Sequence, residues 1–140
     1  MINISFNITE TWKRAEFRDF IKQIKSAEDI TLYIITKDSN AASAPYVQDY
    51  LEMDSDKVIQ CTNIATMNTA LTDNNIQIHF DGEMETITDL KNLDDTINYI
   101  FVDQALTDSP GQEFINGQYI QTPFEMKYAA EFVRIIKTLI

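Results

Sequence analysis

The chain has 140 residues, 44% of them hydrophobic and 24% charged, which is typical of one globular domain covering residues 1–140 and not of a disordered chain. Eleven basic residues against 22 acidic ones give a net charge of -11, which repels phosphate backbones and anionic membrane surfaces. This charge argues against direct binding of nucleic acid or membrane, and it favours a protein partner with a basic surface.

Alternating and helical patterns of apolar residues follow one another along the chain. Alternation from Ile2 to Ile8 predicts a strand, the spacing from Phe17 to Ile24 predicts a helix, and the β-branched run from Ile30 to Thr36 predicts a second strand. Further strands are predicted at 58–61, 76–80 and 97–102, and further helices at 45–51, 64–71, 84–93 and 128–139. This order predicts an α/β fold with about five parallel strands and helices on both faces.

The segment after the fifth predicted strand departs from that alternation. Its Asn116-Gly117 pair lies between the β-forming residues Phe114, Ile115, Tyr119 and Ile120. An Asn-Gly pair in this setting is a strong signal for a tight turn between two strands. We therefore predict a small β-hairpin over residues 113–121, whose apolar side chains either pack on the core or face a partner, with core packing as the prediction.

Two further features concern compartment and redox state. The single cysteine, Cys61, stands in an apolar run and is predicted to be a buried thiol, without an intrachain disulfide. The first residues lack the basic and apolar segments of a signal peptide, and no apolar run approaches the roughly 20 residues that span a bilayer. We expect a protein that is not secreted by a signal peptide.

The ends of the predicted strands are where an open parallel sheet binds its ligands. The first strand runs into Asn7-Ile8-Thr9-Glu10-Thr11, the second ends at Thr36, and Asp81-Gly82 follows the fourth. In residue type and order this resembles the haloacid dehalogenase (HAD) superfamily, especially its small capless members that bacteriophages often encode. That family carries Asp-x-Asp-Gly-Thr after the first strand, Ser or Thr after the second and an acidic pair after the fourth.

The resemblance implies a HAD-like, Rossmannoid three-layer sandwich whose catalytic residues have been lost. Asn7 stands in the place of the nucleophilic aspartate and Thr9 in that of the general acid, while Glu10 replaces the glycine. No Lys or Arg occurs from Val58 to Leu90, where the family has a basic residue. An uncharged amide is a poor nucleophile, and a hydroxyl is too weak an acid to protonate a leaving group. We expect no catalytic residue, no cofactor and no resident metal; a bound Mg²⁺ would have Asp81 and Glu10 as its ligands.

Two other residues near these strand ends have alternative interpretations. His79 and Asp81 face the same way on a strand, so together they could serve as a catalytic general base. We predict instead a structural histidine with one hydrogen-bond partner, since no serine or cysteine nucleophile is evident beside it. Lys37 could bind an anion at the end of the second strand, but the prediction is a solvated loop lysine.

The leading hypothesis is a catalytically inactive HAD-like domain, a pseudo-phosphatase, that acts as a protein-interaction module. The resemblance to phage-encoded members suggests a virion component or a modulator of a host protein, and hence a cytoplasmic or virion-associated location. One alternative is a divergent Mg²⁺-dependent phosphatase or nucleotidase that uses Asp81 with Glu10. The other is an acidic inhibitor that mimics nucleic acid.

Overall fold

The computed structural model describes residues 1–7, 15–37, 44–102, 119–120 and 129–138. The strands are β1 (Ile2–Asn7), β2 (Ile30–Thr36), β3 (Val58–Gln60), β4 (Ile78–Asp81), β5 (Asn98–Val102) and β6 (Tyr119–Ile120). The helices are α1 (Ala15–Lys25), α2 (Ala44–Leu51), α3 (Ile64–Asp73), α4 (Met84–Leu93) and α5 (Ala129–Thr138), with a 3-10 turn at Ser55–Lys57. None of these helices is long and apolar enough to cross a membrane.

The strands form one sheet in the order β3-β2-β1-β4-β5-β6, and every neighbouring pair is parallel. The predicted α/β fold with about five parallel strands is therefore confirmed. The chain builds the sheet outward from β1 through β2 to β3, and then crosses back to place β4 on the other side of β1. Strands β1 and β4 are thus the neighbours between which the direction of the sheet's growth reverses.

The apolar residues form two clusters that take alternate residues of the strands. The first cluster includes Ile4 and Phe6 of β1, and the second includes Ile35 of β2 and Tyr99 of β5. The first cluster receives side chains from α1, α2 and α5: Phe20, Ile21, Ile24, Leu51 and Ile136. The second receives side chains from α3 and α4: Met67, Leu71, Ile87 and Leu90. Because successive side chains of a strand point to opposite faces, the two clusters use opposite sides of the strands.

Three phenylalanines hold the β1–β4 seam in the first cluster. Phe6 and Phe80 are partners in the strand register, and their rings stack with centroids 4.7 Å apart. The ring of Phe20 on α1 meets Phe6 edge-on at 6.3 Å. Replacing a buried phenylalanine with alanine typically costs about 3–5 kcal/mol, so this trio fixes the two strands that carry the polar residues described below.

Basic side chains of α1 donate hydrogen bonds to backbone carbonyls at the C-terminal end of α2. Arg18 Nε donates to the carbonyl of Tyr50 at 2.8 Å, and Lys25 Nζ donates to the carbonyl of Leu51 at 3.1 Å. These carbonyls belong to the last turn of a helix, where no amide of the same helix reaches them and positive charge is favourable. Glu52 follows with a left-handed φ of 55° and forms an ion pair with Arg18. Positive charge on α1 is therefore used within the molecule.

The predicted hairpin over residues 113–121 lies mostly outside the described residues. Its described part, Tyr119–Ile120, is β6, which pairs in parallel with Phe101 and Val102 of β5. These two β-forming residues extend the main sheet at its β5 edge. The segment that would supply the antiparallel partner, including Phe114 and Ile115, lies outside the described residues.

Candidate functional site

The carboxyl ends of β1 and β4 meet where the strand order reverses, which is the place where open α/β sheets form a ligand crevice. We call this place the switch-point crevice, and its described residues are Asn7, Thr36, Lys37, Asp81 and Glu83. Asn7 ends β1, Asp81 ends β4, and the two are partners in the parallel register. Their exposed fractions are 0% and 1%, so the two strand-end groups predicted from the sequence lie together in the interior.

The carboxamide of Asn7 is held by hydrogen bonds at both of its ends. Its Nδ2 donates to Asp81 Oδ2 at 3.0 Å and, at a longer 3.4 Å, to Glu83 Oε1. Its Oδ1 accepts from the backbone amide of Lys37 at 3.4 Å. A carboxylate in the same position has no proton to donate, and it would place a second negative charge against Asp81. The amide is therefore the group that makes the buried contact with Asp81 favourable.

The carboxylate of Asp81 accepts three hydrogen bonds from the protein. Oδ2 accepts from Asn7 and lies 3.0 Å from His79 Nε2, and Oδ1 accepts from the backbone amide of Glu83 at 2.9 Å. The last bond closes the short turn between β4 and α4. Each oxygen of the buried carboxylate therefore has a hydrogen-bond partner among the described residues, as buried polar groups require.

Next to this pair, β1 and β4 carry a second polar pair. Ser5 and His79 are register partners, both fully buried, and Ser5 Oγ lies 2.7 Å from His79 Nδ1. Because a carboxylate only accepts, a neutral imidazole in this position carries its proton on Nε2, towards Asp81, and its Nδ1 then accepts from the Ser5 hydroxyl. The ring of Tyr99 meets the imidazole edge-on at 6.2 Å.

The prediction of a single hydrogen-bond partner for His79 was wrong, because its two ring nitrogens contact Ser5 and Asp81. The contact with Ser5 was not evident from the sequence. Ser5 is 74 residues away in sequence and becomes a neighbour only because β1 pairs with β4. The common orientation of His79 and Asp81 is confirmed by their hydrogen bond. Ser5 nevertheless has no exposed surface, so this serine–histidine–aspartate series presents no nucleophile to solvent.

Lys37 and Glu83 lie at the partly exposed margin of the crevice. Lys37 Nζ is 3.7 Å from Glu83 Oε2, with side-chain exposures of 27% and 43%. Lys37 therefore differs from the solvated loop lysine that the sequence predicts, because it is partly buried and faces a carboxylate. Thr36, just before it, is buried, and its carbonyl accepts from the backbone amide of Cys61 at 2.7 Å.

Two of the predicted site residues, Thr9 and Glu10, lie outside the described residues. Within the part of the chain that the structure describes, no group of three or more His, Cys, Asp or Glu side chains is arranged to hold a metal ion. Cys61 is buried, as predicted, and burial raises the pKa of its thiol.

No protein-family model matches this chain, and no curated protein sequence matches it. The resemblance to the HAD superfamily therefore rests on the residues and the strand ends described above.

Proposed function

We propose that this chain is a catalytically inactive HAD-like domain that acts as a protein-interaction module. The observation that carries the proposal is the buried hydrogen bond from Asn7 to Asp81. It supports inactivity because an uncharged amide occupies the position in which the family places its attacking carboxylate. An amide neither attacks phosphorus nor provides the charged oxygen ligand that Mg²⁺ prefers.

The surroundings of that hydrogen bond support the same proposal. Asp81 is buried and its oxygens accept bonds from Asn7, His79 and the backbone of Glu83. Phosphoryl transfer also needs positive charge at the transferred group. Among the described residues of the switch-point crevice, Lys37 is the one basic side chain, and it faces Glu83. Of the described residues, a trianionic phosphate placed here would meet two carboxylates and a single ammonium group.

The distribution of charge supports an interaction role. Several basic side chains form ion pairs within the protein: Arg18 and Lys22 with Glu52, Lys57 with Asp56, and Lys137 with Asp29. The surplus of acidic residues, a net charge of -11, therefore dominates the field that a partner encounters. Complementary charge accelerates association and excludes like-charged partners. The partner we propose is a protein with a basic surface, and the roles in a virion or in modulating a host protein follow from the resemblance to phage-encoded members.

Calorimetric titration with Mg²⁺, combined with a phosphomonoester turnover assay, tests the proposed inactivity. The expected result is neither Mg²⁺ binding nor turnover in the unmodified protein. Turnover that is lost in Asp81→Ala but retained in Glu85→Ala would overturn the proposal and favour a divergent phosphatase. Glu85 is the matched control because it is an exposed acidic residue of α4. The hydrogen bonds of Asp81 are with Asn7, His79 and Glu83 instead.

A further inference from the structure

The Lys37–Glu83 ion pair spans the switch-point crevice. Lys37 follows β2, Glu83 follows β4, and β1 lies between those strands. Asn7, at the end of β1, contacts both partners, since its Oδ1 accepts from the Lys37 amide and its Nδ2 donates to Glu83. The ion pair is therefore a bridge over the end of the central strand, at the place where folds of this type receive ligands.

The contacts of Glu83 are longer and more exposed than those of Asp81. Its carboxylate lies 3.7 Å from Lys37 Nζ and 3.4 Å from Asn7 Nδ2. Charge-assisted hydrogen bonds are usually about 2.7–2.9 Å long, so neither contact is a strong one. A partly exposed ion pair also contributes little to stability, because solvent screens it and its side chains lose freedom. An external group could therefore replace Lys37 at small cost.

From this geometry we infer that Glu83 receives a cationic side chain of the protein partner, which displaces Lys37. The inference rests on the proposed function and names the point of contact for the interaction module. The Lys37 ammonium group is the internal occupant of the position, and it shows that a cation is accommodated there.

Arginine fits this position better than lysine. Its planar guanidinium group can bind both oxygens of the Glu83 carboxylate and form shorter bonds than Lys37 does. An anionic ligand would be repelled by Asp81 and Glu83. Among the described residues, a divalent cation would find one accessible carboxylate, because Asp81 already accepts from Asn7, His79 and a backbone amide.

The test is a titration of the full chain with an acetylated and amidated Gly-Arg-Gly peptide, followed by NMR at the side-chain amide of Asn7 and the backbone amide of Glu83. The same peptide with citrulline in place of arginine is the uncharged control. We expect the arginine peptide to shift both signals and the citrulline peptide to leave them in place. Glu83→Gln should abolish the shifts, and Glu85→Gln, on the solvent face of α4, should preserve them.

Lys37→Met should strengthen binding of the arginine peptide, whereas Glu83→Gln should abolish it. In Lys37→Met the peptide no longer has to displace the Lys37 ammonium group from the Glu83 carboxylate, so it should bind about two- to fivefold more tightly. That factor corresponds to the free energy of a typical surface ion pair. Unchanged affinity in Lys37→Met, or shifts that persist in Glu83→Gln, would overturn the inference. If Glu83→Gln does not fold, Lys37→Met decides the question alone. Failure here leaves the proposed inactivity intact, whereas phosphomonoester turnover would overturn the proposed function whatever the peptide does.

Discussion

Ser5 Oγ and His79 Nδ1 form a buried hydrogen bond of 2.7 Å across the seam between β1 and β4. The two residues belong to the halves of the sheet that the chain builds at different times, and no solvent reaches either of them. A polar pair in this position is favourable only while both members are present, since each would otherwise be left without a partner in the interior.

A double-mutant cycle measures that dependence. Ser5→Ala should lower the free energy of unfolding by about 1–3 kcal/mol, because it leaves His79 Nδ1 buried without a donor. The coupling energy between Ser5→Ala and His79→Ala should be about 1 kcal/mol, as obtained from urea unfolding of the single and double variants. Ser26→Ala is the control, since Ser26 is exposed at the end of α1 and should show no coupling to His79.

Asn7→Asp tests whether the amide makes the contact with Asp81 favourable. The substitution places a second buried carboxylate against Asp81, so the free energy of unfolding should fall by about 3 kcal/mol or more. Millimolar Mg²⁺ should raise the melting temperature of Asn7→Asp, because a cation would then separate two carboxylates, and it should leave the unmodified protein unchanged. Asn92→Asp makes the same charge change on the exposed side of α4 and should respond in neither way. An Asn7→Asp variant as stable as the unmodified protein would contradict the role assigned to the amide.

Stability should decrease at alkaline pH because of two buried acids. Burial raises the pKa of Tyr99 well above its usual value of 10.0, with a further contribution from Asp94 and Asp95, and burial also raises the pKa of Cys61 above 9.0. As the pH rises, the unfolded chain loses these protons first, so the free energy of unfolding falls above about pH 9 and more steeply above about pH 10. Below about pH 9, both groups are protonated in the folded and the unfolded chain, so this loss of stability is absent.

Urea midpoints measured from about pH 8 to about pH 11 check this dependence, and the two residues act as controls for each other. Cys61→Ala should remove the earlier part of the decrease, and Tyr99→Phe the later part. Tyr99→Phe should also lower stability at neutral pH, because the Tyr99 hydroxyl donates to the carbonyl of Asp94 at 2.8 Å. An unchanged alkaline profile in both variants would show that neither group governs it.

Asn68 Oδ1 on α3 is, among the described residues, the one buried side-chain polar atom without a hydrogen-bond partner. Removing an unsatisfied buried acceptor is neutral or favourable, and alanine is also the better helix former. Asn68→Ala should therefore raise the free energy of unfolding by about 1 kcal/mol. Asn92→Ala, on the exposed side of α4, measures the helix-propensity part alone and should give a smaller gain. A loss of stability in Asn68→Ala would mean that the side chain has a partner in solution.

Local patterns in the sequence predicted the fold and half of the site. The alternation from Ile2 to Ile8 and the continuous run from Ile30 to Thr36 are periodic signals, and both became parallel strands. The same reasoning placed Asn7 and Asp81 at one edge of the sheet, because parallel strands bring their carboxyl ends together. It also placed His79 and Asp81 on one face, since they are two residues apart on a strand.

The missing half depended on which strands are neighbours. Ser5 meets His79, and Lys37 meets Glu83 across β1, only because β1 lies between β2 and β4. The spacing of apolar residues along the sequence does not show which strands are neighbours in the sheet. A parallel alignment of the two short apolar strands Ile2–Asn7 and Ile78–Asp81 was the one available signal, since it sets Ser5 beside His79 and Asn7 beside Asp81.

The central position of β1 also constrains how the chain matures on the ribosome. β2 emerges soon after β1 and can pair with it at once, but β4 follows only after residues 78–81 have been synthesised. Until then one edge of β1 is open, and Ser5 Oγ and Asn7 Nδ2 lack the partners that β4 supplies. Nascent chains that stop before β4 should therefore be incompletely folded and exposed to aggregation, and the polar seam should close late.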